Sequence, residues 1–185
     1  MAFNSYVLDK KLLENFQIIV NEHSNFLINR YSNINGKNLW SLCCSAKDWL
    51  HVGVQGLPYI DLQHNNDDAR SLNVLQLILT FDIIVQAIQQ LYRVFNEEYP
   101  YKQDRSIFRS EVSDDAYFKQ IRACFGVHPV NLDSKNGEKD GKKYFASWSS
   151  DVGSEGDYMV YLYSSDPSEP SFHFTYISRK YIGMW

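Results

Sequence analysis

Residues 69–98 read ARSLNVLQLILTFDIIVQAIQQLYRVFNEE, thirty positions with no glycine and no proline. Good helix formers dominate the stretch. The run Asn65-Asn66-Asp67-Asp68 just before it supplies side-chain caps, and acid at the positive end of a helix. Leu72, Leu75, Leu79, Ile83, Val85, Ile88, Leu91, Val94 and Phe95 spread over much of the circumference. That is the pattern of a helix at the centre of a bundle. At 1.5 Å per residue it would extend about 45 Å. Tyr99-Pro100 is expected to stop it.

Working outward, both flanks add helices. Asp9 is placed to cap a helix carrying Leu12, Leu13, Phe16, Ile19, Val20, His23, Phe26 and Leu27 on one face. Asn33-Ile34-Asn35-Gly36 breaks it. A second helix fits Leu39 to Val52, with Trp40, Cys43, Trp49 and Leu50 available for burial and Gly53, Gly56 and Pro58 as its stop. Beyond the long helix, Ser113 caps a shorter one with Asp114 and Asp115 in its first turn. Ala116, Phe118, Ile121, Cys124 and Phe125 form its buried face, and Gly126 with Pro129 just beyond reads as its end.

After residue 133 the pattern changes. A polar, Gly-containing stretch over 133–143 precedes three strand-like runs at 143–149, 158–163 and 171–177, separated by Gly/Ser/Asp and Pro/Ser/Glu turns. The sequence therefore predicts an α+β chain. A mainly helical up-down bundle of four or more helices covers residues 1–132. A small antiparallel β meander covers 133–185 and packs on it, because three strands need something to cover one face. The final Ile182-Gly183-Met184-Trp185 carries no polar tail, a pattern expected of a piece of a longer chain and equally of a docked terminus.

Composition excludes several function classes. The 185 residues are 44% hydrophobic and 15% aromatic, too apolar for disorder. A net charge of −4 argues against coating nucleic acid by bulk charge. Residues 101–143 nevertheless hold nine basic and seven acidic side chains, against nine and fifteen elsewhere. Three cysteines (Cys43, Cys44, Cys124) without a CxxC indicate neither a disulfide framework nor a zinc ribbon. The N-terminus lacks the flank and apolar run of a signal peptide. The most apolar run is interrupted by Asn73, Gln76, Asp82, Gln86, Gln89, Gln90 and Arg93, which reads as too polar to span a bilayer. A cytoplasmic, reduced protein with no membrane partner is the expectation.

The chemistry-bearing candidate is Arg122-Ala123-Cys124-Phe125-Gly126-Val127-His128. On an uninterrupted helix, Arg122 and His128 would lie about 240° apart. If the helix ends near Phe125, a turn can return the imidazole toward the guanidinium. Arginine offers a permanent fork of donors for phosphate oxygens, and histidine moves a proton near neutral pH. Such a pair can cleave a phosphodiester without a metal. The alternative reading is local: Arg122 pairs with Asp114, Asp115 or Glu111, and His128 ends the helix.

The segment Tyr117-Phe118-Lys119-Gln120-Ile121-Arg122, followed by Gly126-Val127-His128-Pro129-Val130, resembles the HEPN superfamily of helical-bundle proteins. The family signature is Arg, four to six residues, then His, at the end of a bundle helix. The resemblance covers residues 8–132, and only the short motif is specific. It implies a metal-independent endoribonuclease or an inactive relative, acting as a homodimer with two copies of Arg122 and His128 facing each other. Lys119, Arg109 and Arg105 would then hold RNA phosphates, and no cofactor or metal is implied. An antitoxin or another protein partner, in a toxin–antitoxin or phage-defence setting, also follows from the resemblance alone. Active members usually carry a polar residue after the Arg, where this chain has Ala123.

Other constellations read as structural. His23, His51 and His64 with Asp61, Asp67 or Asp68 lack metal-ligand spacing. Asp82, inside the apolar helix, needs a polar partner. The strand aromatics Tyr144, Trp148, Tyr158, Tyr161, Tyr163, Phe172, Phe174 and Tyr176 suit core packing better than base stacking, since no basic residues interleave with them. A non-enzymatic dimerisation or protein-interaction module is the rival to the ribonuclease reading.

Overall fold

The computed structural model describes residues 9–108, 110–127, 129–133, 141–148, 158–170 and 172–176. The chain is mainly helical and ends in a small antiparallel meander. The helices are α1 (Lys10–Glu22), α2 (Ser24–Tyr31), α3 (Leu39–Gly56), α4 (Asp67–Val94) and α5 (Asp114–Arg122). A 3₁₀ turn (Leu57–Tyr59) follows α3 and a π turn (Ala123–Val127) follows α5. The strands are β1 (Tyr144–Trp148), β2 (Tyr158–Ser164) and β3 (Phe172–Tyr176). The chain forms two compact units, Met1–Ile60 with Thr80–Pro100 and Asp61–Leu79 with Tyr101–Trp185, so α4 supplies residues to both.

In the first unit, Asp9 caps α1 by accepting the Leu12 amide at 3.1 Å. The helix expected to continue through Leu27 is interrupted at His23, whose φ of −102° and ψ of 17° leave the helical region. The ladder is carried across the kink, since the Leu27 amide donates to the His23 carbonyl at 3.0 Å. Only Leu13 and Val20 of the expected apolar face are buried, and Leu12, Ile19 and Phe26 are exposed. Asn35 and Gly36 both have positive φ, 51° and 76°. They close a tight reversal in which Ile34 and Lys37 exchange both backbone bonds.

Asn38 caps α3 through the Ser41 amide at 2.9 Å. The helix does not stop at Gly53. A Cβ there would sit 2.7 Å from Ile84 Cγ1, so this glycine permits close approach of α4 instead of breaking α3. Asn66 Oδ1 accepts the Ala69 amide at 2.9 Å and starts α4 as expected. The end of α4 comes earlier than Tyr99-Pro100. Asn96 takes a left-handed φ of 58°. The Glu97 amide bonds the Tyr92 carbonyl and the Asn96 amide bonds the Arg93 carbonyl, the paired closure of a Schellman motif. By length and composition α4 is the one described helix apolar enough to cross a membrane, because most of its interruptions are uncharged amides.

In the second unit, β1–β2–β3 pair antiparallel in sequence order, with Ala146 opposite Leu162 and Val160 opposite Phe174. Tyr144, Val160 and Leu162 are buried, together with Val74, Leu77, Ile78, Phe118, Ile121, Phe125 and Leu132. Phe145, Trp148 and Tyr163 are partly exposed on the sheet. The loop before α5 is organised by two carboxylates. Asp104 accepts from the Arg105 amide, the Ser106 amide and the Ser106 hydroxyl at 2.7–3.0 Å. Asp114, 6% exposed, accepts the Ile107 and Phe108 amides at 3.0 Å each.

Candidate functional site

Arg122 is the last residue of α5. Ser113 starts that helix by accepting the Ala116 amide, while Phe118 and Ile121 anchor it in the core. Arg122 is half-buried, with its Nε fully shielded. The backbone then widens into the π turn of residues 123–127. Single π turns recur at functional sites because they re-aim the chain without ending its hydrogen bonding. In the sequence Gly126 reads as the end of the helix. It lies within the π turn and is not among the positive-φ residues. A Cβ at that position would be 2.8 Å from Leu75 Cδ1, so its role is close packing against α4.

The two sides of position 128 are tied to β1. Phe125 meets Trp148 edge-to-face, with ring centroids 5.2 Å apart. The Pro129 carbonyl accepts the Ala146 amide, and Leu132 and Tyr144 exchange backbone bonds at 2.9 Å. The meander thus brackets the segment after Arg122. His128 and Arg109 themselves lie outside the described residues. Cys124 is buried, and desolvation pushes its thiol up to about 11, which keeps it protonated and unreactive near neutral pH.

Lys119 is exposed and pairs with Asp115 at 2.7 Å. Arg105 is exposed on the loop that Asp114 fastens to the start of α5. Arg105, Lys119 and Arg122 therefore belong to one loop-and-helix substructure. Of the acids considered as local partners for Arg122, Asp114 is engaged by backbone amides and Asp115 by Lys119. The sequence places Asp114 in the first turn of the helix and offers it as a partner for Arg122, not as an acceptor for the preceding loop. Its burial beside a six-residue reach of loop backbone has no signature in the linear pattern.

His51 Nδ1 lies 2.8 Å from Gln17 Nε2, and His64 Nδ1 accepts the Asn66 amide at 3.1 Å. Among the described residues, no group of three His, Cys, Asp or Glu side chains is close enough to hold a metal. Comparison with known proteins finds no protein family, no curated protein and no solved structure that matches this chain.

Proposed function

We propose that this chain is a HEPN-like protein acting as a cytoplasmic homodimer, a metal-independent endoribonuclease or its catalytically inactive relative. The observation that carries the reading is Arg122 closing α5 directly before a π turn whose far side is fastened to β1. In the proposed reaction His128 accepts the proton of an RNA 2′-hydroxyl, whose oxygen attacks the adjacent phosphorus. The bond to the 5′-oxygen breaks, leaving a cyclic phosphate. The partner's His128 donates a proton to the departing oxygen. Arg122 stabilises charge on the non-bridging oxygens. Lys119, Arg109 and Arg105 hold flanking phosphates. A toxin–antitoxin or phage-defence role, with an antitoxin as protein partner, belongs to the same proposal.

The test is cleavage of single-stranded RNA in EDTA by wild type, Arg122→Ala and His128→Ala. Wild-type cleavage lost in both variants supports the enzyme. Equal cleavage in all three, or none in wild type, removes it.

A second reading, a non-enzymatic interaction module, is favoured by one observation. Leu12, Ile19 and Phe26 recur at seven-residue spacing and are all exposed. Ala123 after the Arg suits this reading as well. Sedimentation of wild type and Ile19→Glu separates the two, because loss of self-association without any RNA cleavage in wild type selects the module.

A further inference from the structure

In the first unit, α3 and the later part of α4 border an open groove of about 250 Å³. Its floor includes Ala46, Ile83 and Ala87, its wall is Trp49, and Gln86 and Gln90 contribute two carboxamides. The two alanines matter sterically, since small side chains on facing helices leave the depth for a flat group beside the indole. Trp49 is 53% exposed, although the sequence pattern offers it for burial along with Trp40, Cys43 and Leu50. No charged side chain lines the groove.

The two amides are not equivalent. Gln86 donates through Nε2 to Asp82 Oδ2 at 2.5 Å, one turn earlier on α4. This leaves its carbonyl oxygen as an acceptor. Gln90 accepts at its carbonyl from Arg93 Nη1 in a long contact of 3.4 Å, which leaves its amide nitrogen as a donor. Asp82, the carboxylate inside the apolar helix, thereby helps position Gln86. The groove's lining offers an indole, an apolar floor, one acceptor and one donor.

We propose that this groove binds a nucleobase. A neutral planar ring with a donor and an acceptor on its edge can use all four features. Its face stacks on Trp49, its amino or imino hydrogen meets Gln86 Oε1, and its ring nitrogen or carbonyl meets the Gln90 amide. The volume falls just below the roughly 300 Å³ at which drug-sized pockets begin, which suits one base and not a whole dinucleotide. An aliphatic occupant would use neither amide. The site uses no residue of the Arg122 segment and does not rest on the ribonuclease reading.

The probes are adenosine and uridine at millimolar concentration, with cyclohexanol as the purely apolar control. Saturation-transfer NMR reports which ligand protons touch the protein, and the Trp49 indole N–H signal, identified by its absence in Trp49→Phe, reports the site. Transfer to base protons above ribose protons is expected, with movement of the Trp49 signal. Trp49→Ala weakens binding about tenfold or more, as loss of one stacked base implies. Gln86→Leu weakens nucleoside binding by a smaller factor and spares cyclohexanol. Both positions are solvent-exposed, and thermal melts confirm that the variants fold. The proposal is overturned if nucleosides leave the Trp49 signal unmoved, if Trp49→Ala binds them as wild type does, or if cyclohexanol binds as well as the nucleosides.

Discussion

Phe125 and Trp148 meet edge-to-face across 5.2 Å, joining the π turn after Arg122 to the first strand of the meander. Phe125 is 2% exposed, whereas Trp148 is 38% exposed. Truncating the two therefore has different consequences. Phe125→Ala opens a core cavity and is expected to cost about 3–5 kcal/mol. Trp148→Ala loses the ring pair and part of its packing, about 1–2 kcal/mol. Urea titrations of the two variants measure both. Under the ribonuclease reading, Trp148→Ala also lowers RNA cleavage in a still-folded protein, because it frees one of the ties beside position 128.

Two glycines of α3 predict effects of opposite sign. A Cβ at Gly53 would lie 2.7 Å from Ile84 Cγ1 and 3.2 Å from Ile84 Cδ1, while one at Gly56 meets nothing within 4 Å. Gly56 already has helical φ and ψ of −78° and −30°. Gly56→Ala is expected to stabilise by about 0.5–1 kcal/mol through helix propensity. Gly53→Ala has the same propensity gain but must displace Ile84, a strain of about 1–3 kcal/mol, so it destabilises on balance. Melting temperatures moving in the same direction would contradict the close approach of α3 and α4.

Asp114 holds the loop that carries Arg105. Its carboxylate takes two backbone amides, from Ile107 and Phe108, and it is buried. Asp114→Ala leaves those donors without their acceptor and removes two charge-assisted bonds, a loss of about 2–4 kcal/mol. The neighbouring Asp115 makes an i,i+4 pair with the exposed Lys119, a pair of about 0.5 kcal/mol, so Asp115→Ala is expected to cost less than Asp114→Ala. Equal melting points for the two variants would mean that the loop is not held by Asp114. Faster amide exchange at Ile107 and Phe108 in Asp114→Ala is the local readout.

How much of this was legible in the linear sequence depends on the range of the interaction. Caps within three residues were readable, and Asp9, Asn66 and Ser113 act as expected. So were the three strands, because alternation and turn residues are local signals. The end of α4 was misplaced because Asn96 in the left-handed region competes with a proline four residues later, and spacing alone does not choose between them. The break at His23 falls among the weak helix formers Asn21, His23, Ser24 and Asn25, and it was missed because the apolar spacing carries on past them to Phe26 and Leu27. Gly53 and Gly126 read as stops because glycine looks the same whether it serves a turn or a neighbouring side chain. Arg122 near the end of the short helix was readable from spacing. The π turn after Arg122 was not, and neither was the Trp49 groove, because both depend on elements distant in sequence.

Acid sensitivity of the meander follows from one cluster. The Lys142 ammonium lies 2.8 Å from Glu169 Oε1 and 3.1 Å from Asp166 Oδ2, tying the entry of β1 to the turn between β2 and β3. The Ser168 hydroxyl and amide hold the Asp166 carboxyl down to about 2, with Lys142 adding to the effect. Lys142 is the first cause of the lowered Glu169 carboxyl, and both carboxylates raise the lysine above its ordinary range. Depressed carboxylates stabilise the fold above their unfolded values of about 4, and that contribution is lost as pH falls toward 2. The raised lysine contributes fully below its unfolded value of about 10.4, and its share fades as pH rises beyond that. Lys142→Met should therefore lower the melting temperature at neutral pH and flatten its fall between about pH 4 and 2. The flattening should be partial, since Ser168 continues to hold Asp166. Because the three side chains keep a quarter to a third of their surface in water, high salt should shrink part of the difference between variant and wild type. A wild-type acid limb unchanged by Lys142→Met would show that this cluster does not couple to folding.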